Sequence, residues 1–166
     1  MKKSLFTIAV SILLLVSFAM TASASETDNN TVVLDDGTTI INYDDGSYTI
    51  ISTPEAVVLP VQPLAATHDV SGKINATNYS KKGEVNWIYT LIGYFTYEEG
   101  VSCVCTNSTY EVSITGSGWK FYDPSNTWSE NAAYGYGVFK HKFAFITNNT
   151  TTVDLRIRCD NYGNFY

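Results

Sequence analysis

The chain has 166 residues and carries 16 acidic against 10 basic side chains, a net charge of −6. That length suits one domain of ordinary size. The acidic balance argues against nucleic acid, which rewards dense basic patches, and against the cationic amphipathic peptides that seek anionic membranes.

Residues 1–24 read as a cleavable signal peptide of bacterial type. Lys2 and Lys3 form its positive start, and an apolar run from Leu5 to Met20 follows, diluted by Thr7, Ser11 and Ser17. Ala22-Ser23-Ala24 then supplies the small-x-small pattern that signal peptidase needs. The run is short for a spanning helix, which takes roughly 20 apolar residues. No Cys follows the cleavage site to carry a lipid, and the closing Asn161-Tyr162-Gly163-Asn164-Phe165-Tyr166 has no hydrophobic tail. The expected product is secreted and extracellular, with no stable membrane insertion after cleavage. Losing both lysines takes its charge from −6 to −8.

Residues 25–65 form an acidic leader. They hold Glu26, Asp28, Asp35, Asp36, Asp44, Asp45 and Glu55 and no Lys or Arg. Asp35-Asp36-Gly37-Thr38 recurs as Asp44-Asp45-Gly46-Ser47, each time before β-formers. Asp-Gly between β-branched runs signals a hairpin, because a type I′ turn needs positive φ. Two such turns supply too few oxygens for calcium, which takes six to eight. A small hairpin alone is marginal in water, so the leader is either partly flexible or docked on the main domain. The charge shift, with Pro54, Pro60 and Pro63, marks a boundary near residue 65.

Residues 66–166 read as an all-β domain. Val85, Trp87, Tyr89 and Leu91 give one apolar face, continued past Gly93 by Phe95 and Tyr97. Tyr110, Val112 and Ile114 alternate with Glu111, Ser113 and Thr115. In the last strand Val153, Leu155, Ile157 and Cys159 alternate with Asp154, Arg156, Arg158 and Asp160. Such alternation marks half-buried antiparallel strands. Turn signals separate the runs at Lys82-Gly83, Glu99-Gly100, Gly116-Ser117-Gly118, Asp123-Pro124 and Asn148-Asn149. The predicted architecture is an antiparallel β-sandwich, immunoglobulin-like, or a small barrel.

Three cysteines in an exported chain predict a disulfide. Cys103 and Cys105 lie two apart on one strand face and Cys159 points inward on its own strand, so one bridge joins Cys159 to either of the first two and leaves one thiol free. No metal site and no cofactor are expected, because one His with scattered Cys is a poor zinc set. His141 shares parity with Phe139, Phe143 and Phe145 and is expected to be a packed, hydrogen-bonded core residue. No catalytic residue is assigned: Gly-x-Ser-x-Gly, His-Glu-x-x-His and P-loop patterns are missing from the sequence. Aromatic residues cluster in a polar, Gly-containing stretch, and Trp119, Trp128, Tyr134 and Tyr136 form a candidate binding surface for a glycan or protein partner.

The chain resembles a family of small secreted β-domain proteins of unknown function from Gram-positive bacteria. The matching features are Leu34-Asp35-Asp36-Gly37 or Asp44-Asp45-Gly46-Ser47-Tyr48, then Gly93-Tyr94-Phe95-Thr96-Tyr97, Cys105-Thr106 and Gly118-Trp119-Lys120. The closing run Thr151-Thr152-Val153-Asp154-Leu155-Arg156-Ile157-Arg158-Cys159, followed by Gly163, completes them. The resemblance implies a disulfide between Cys105 and Cys159 with Cys103 as the free thiol, and it brings no catalytic residues. The expected function is a non-catalytic extracellular binding module. The alternatives are a secreted antimicrobial protein of bacteriocin type and an extracellular enzyme.

Overall fold

The computed structural model describes residues 30–57, 67–144 and 146–166. Residues 1–24, read from the sequence as an export signal, lie outside the described residues. Among the described residues there are ten strands and no helix: β1 (Thr31–Val33), β2 (Thr39–Asn42), β3 (Tyr48–Ile51), β4 (Glu55–Val57), β5 (His68–Tyr79), β6 (Val85–Glu98), β7 (Ser102–Ile114), β8 (Trp119–Ser129), β9 (Ala132–Phe143) and β10 (Ile146–Arg158).

The strands form two antiparallel sheets. The larger runs β1-β2-β3-β5-β6-β7, with β4 also paired to β5, and the smaller runs β10-β9-β8. Neither sheet closes on itself, so the architecture is the expected sandwich and not a barrel. Apart from the excursion through β4, neighbouring strands are consecutive along the chain. The sheets are therefore meanders, whereas an immunoglobulin domain interleaves its strands by Greek-key connections.

The described part of the acidic segment, residues 30–57, is built into the larger sheet. β3 pairs with β5 from Tyr48↔Tyr79 to Ile51↔Ala76, and β2 and β1 add outward from it. Pairing to a long, half-buried neighbour gives this hairpin the support it would lack alone. Both Asp-Gly turns take a form other than type I′. Only Gly37 and Gly46 have positive φ there, at 84° and 80°. Each closes a turn in which its N–H donates to the carbonyl of Leu34 or Tyr43. This is the three-residue loop with one left-handed glycine. Asp36 and Asp45 use their carboxylates to accept the backbone N–H of Thr38 and Ser47, both at 2.9 Å.

The core lies between the sheets and follows the alternation read from the sequence. Trp87, Tyr89, Leu91 and Phe95 of β6 face Ala133 and Phe139 of β9 and Val153, Leu155 and Ile157 of β10. Trp87 is fully buried and stacks on Phe139 with ring centroids 3.9 Å apart. A Cβ on Gly137 would collide with the Phe121 ring, so this glycine makes room for an aromatic side chain in the core.

Candidate binding cleft

Where the two sheets part at one end, a cleft of about 540 Å³ opens. Its apolar wall comes from the smaller sheet. Trp119, the first residue of β8, lies opposite His141 near the end of β9, with ring centroids 5.3 Å apart. The inner edge of Trp119 meets Trp87 at 6.3 Å in a T-shaped contact, which fixes the indole against the core. A Cβ on Gly118 would strike the His141 ring and the Lys142 carbonyl, so a glycine before Trp119 is needed for this approach.

His141 is a rim residue and not the core residue expected from its parity. It is half-exposed, because the sandwich has opened by the end of β9. Its ring is nonetheless fixed: Nε2 lies 3.1 Å from the Ser117 carbonyl and Nδ1 lies 2.7 Å from the Asn148 side chain. A backbone carbonyl only accepts, so Nε2 carries a hydrogen. Phe143 shares that expected row, but its side chain and all of Phe145 lie outside the described residues.

The polar wall comes from three hairpins. Asp45 and Ser47 belong to the β2–β3 turn, Ser80 and Lys81 to the β5–β6 turn, and Asn148 and Asn149 to β10. Asp45 accepts hydrogen bonds from the Ser47 hydroxyl at 2.5 Å and from the Asn149 amide at 2.9 Å. The Ser47 hydroxyl first, then its backbone N–H and Asn149, hold the Asp45 carboxyl below its ordinary range. At the floor, Asn86 donates to the buried Asn78 at 2.8 Å, and Asn78 donates in turn to Thr49 at 3.1 Å. Asn86 thereby spends one amide hydrogen inward and keeps its carbonyl oxygen as an acceptor.

The four aromatic residues named from the sequence do not form one surface. Trp119 lies in the cleft. Trp128 sits at the far end of β8, level with Ala133, and is 45% exposed. Tyr134 and Tyr136 point the opposite way, to the outer face of the smaller sheet, because inward positions on β9 belong to Ala133, Gly135 and Gly137. Asp45 and the Asn148-Asn149 pair were legible only as turn residues. Their convergence depends on how the hairpins meet in space.

The cysteines are arranged otherwise than the resemblance implies. The pair implied by the resemblance, Cys105 and Cys159, is not the pair brought together. Cys103 and Cys159 approach to 3.0 Å without a bond, and all three cysteines are free thiols. The reason is register. Gly100 N–H donates to the Asn161 carbonyl at 2.8 Å, which sets the chain after β10 against the start of β7. Cys103 is then level with Cys159, and Cys105 lies two residues further along the strand, its thiol directed at the Asn107 carbonyl. Burial raises the thiol pKa of Cys103, Cys105 and Cys159 alike.

Among the described residues no three His, Cys, Asp or Glu side chains gather as a metal set, and no helix is long and apolar enough to cross a membrane. Compared with known proteins, the chain matches no family model, no curated protein and no solved structure.

Proposed function

We propose that this protein is a non-catalytic binding module that acts outside the cell and takes a polar saccharide in the Trp119–His141 cleft. The carrying observation is the pairing of a fixed indole and imidazole wall with amide, carboxylate and hydroxyl groups from three hairpins. A sugar ring presents an apolar C–H face and a fringe of hydroxyls that both donate and accept. An aromatic wall suits the first, and convergent amides and a carboxylate suit the second. Asp45 is the only carboxylate among the lining residues, and it is already bonded to Ser47 and Asn149. Glycoside hydrolysis ordinarily uses two carboxylates across the scissile bond, so binding fits this cleft better than cleavage.

Export belongs to the same proposal and rests on the sequence of residues 1–24. In an oxidising compartment Cys103 and Cys159 would form the bridge. The two thiols would lose two protons and two electrons to a disulfide-bearing oxidant, which is reduced to two thiols. The bond would join the larger sheet to the segment leaving β10.

The test is an oligosaccharide array probed with the purified protein, followed by calorimetry on the best ligand. Trp119→Ala should weaken binding by about tenfold or more, the loss of roughly 1.4 kcal/mol of stacking or more. Trp128→Ala should leave it unchanged. Equal binding by wild type and Trp119→Ala, or no saccharide bound at all, would overturn the proposal.

A further inference from the structure

The outer face of the smaller sheet carries a charge that the chain as a whole does not. In antiparallel pairs, residues directly opposite share a face. Lys120 lies opposite Lys140, Thr147 opposite Lys142, Tyr134 opposite Arg156 and Ala132 opposite Arg158. Five cations thus project from one face of three strands, and among the residues paired across that face there is one carboxylate, Asp154, which lies opposite Tyr136. The protein as a whole is at −6.

These cations are arranged at a cost. Like charges directly opposite on a sheet destabilise it, yet Lys120 and Lys140 occupy such a pair. The Nζ atoms of Lys140 and Lys142 both sit over the Tyr122 ring, 5.0 and 5.5 Å from its centroid, a cation–π attraction that offsets part of that cost without supplying a counter-charge. The ion pair found among the described residues, Lys73–Glu55, lies on the other sheet. The Nε of Arg158 is buried with no hydrogen-bond partner. Between the lysines at one end and the arginines at the other lies Tyr136, 39% exposed, and Tyr134 lies beside Arg156.

We propose that this face binds a linear polyanionic polysaccharide, with its carboxylate or sulfate groups on the lysines and arginines and its sugar rings against the tyrosines. The lining chemistry supplies both contacts: ammonium and guanidinium groups pair with anions, and tyrosine combines an apolar ring with a hydroxyl. Duplex DNA carries one charge per about 1.7 Å and rewards many phosphate contacts. Five cations on a protein with an acid-only segment meet that density poorly, whereas a polymer charged once per sugar or two matches their spread along the sheet. The site is separate from the cleft, since Trp119 and His141 point to the opposite side of the same strands.

Heparin, a sulfated linear glycan, is the probe. The protein should be retained on immobilised heparin at low salt, should pass through neutral dextran, and should elute as salt rises. Lys140→Glu with Arg156→Glu should weaken retention by about a hundredfold, since each lost contact to a charged group contributes on the order of tenfold. Both residues are at the surface, and circular dichroism checks that the variant is folded. Tyr136→Ala should weaken heparin binding several-fold without changing its salt slope. Trp119→Ala should bind heparin as wild type does, which keeps this result independent of the cleft. No retention, or equal retention by the charge-reversed variant, would overturn the proposal. So would displacement from heparin by single-stranded DNA, or by vesicles rich in phosphatidylglycerol, at lower charge concentration than by heparin itself.

Discussion

The two outer faces of the sandwich are built on the same alternation, yet they differ in how their polar groups are satisfied. On the larger sheet they find one another. Thr90 donates to Asn75 at 2.7 Å, Thr96 to Asp69 at 2.6 Å, and Lys73 pairs with Glu55 at 3.0 Å. On the smaller sheet Lys120 faces Lys140, and two ammonium groups crowd one tyrosine ring. The first face is closed chemistry. The second holds five cations against one paired-strand carboxylate, Asp154. Net charge conceals this difference, because it averages an acid-only hairpin with a basic sheet face. The strand register sorts the two apart.

The strongest way to break the comparison is to remove the interior on which both faces rest. Trp87 touches Trp119 and stacks on Phe139, so it links the larger sheet to the smaller one and to the cleft. Trp87→Ala should cost about 3–5 kcal/mol in a denaturant titration. A cost below about 1 kcal/mol would mean that the sheets do not depend on this contact. Next in size is the link between the sheets at the other end. In oxidised protein a Cys103–Cys159 bridge should add about 4 kcal/mol in the chain-entropy treatment. Reduction should remove that gain. Cys103→Ser should lose it, and Cys105→Ala should keep it. Intact mass before and after reduction, with peptide mapping of the bridge, checks the pairing. A bridge mapped to Cys105 would contradict the register described above.

The sequence made the strands legible because alternation is a local property. Trp87, Tyr89, Leu91 and Phe95, and later Val153, Leu155 and Ile157, all face inward as their spacing requires. The turn glycines were legible for the same reason. Whatever depended on relations between strands was not. Parity put His141 on the inner face correctly, but parity cannot say that a sandwich opens before a strand ends. Composition drew a line near residue 65, and hydrogen bonding crosses it, because the pairing of Tyr48 with Tyr79 depends on long-range register and not on charge. Trp119 and Tyr136 looked alike as exposed aromatics. An odd position and an even one on neighbouring strands send them to opposite sides of one sheet. The choice between Cys103 and Cys105 likewise depended on where the chain after β10 docks, which no spacing within β7 encodes.

The smallest expected effect concerns the place where the two sheets meet through side chains at the cleft. Asp45 of the β2–β3 turn accepts from Ser47 and from Asn149 of β10, so a hairpin of the larger sheet is tied to a strand of the smaller one by a single carboxylate. Those hydrogen bonds lower its pKa in the folded state. A carboxyl depressed on folding contributes stability that is fully present above its unfolded value, near 3.9, and is lost as pH falls through the folded value. Asp45 is largely exposed, and water screens it, so the contribution should stay below about 1 kcal/mol. Asp45→Asn keeps the shape and removes the charge. Its stability should therefore fall less than that of wild type between about pH 5 and pH 2. Asp36 and Asp160 are lowered in the same direction by hydrogen bonds within their own turns, and they remain in both proteins. Their share cancels in the difference, leaving the Asp45 carboxylate, with its bonds to Ser47 and to Asn149 together, as the quantity measured. Parallel loss in the two proteins would show that the Asp45 carboxylate contributes nothing to holding the cleft closed on that side.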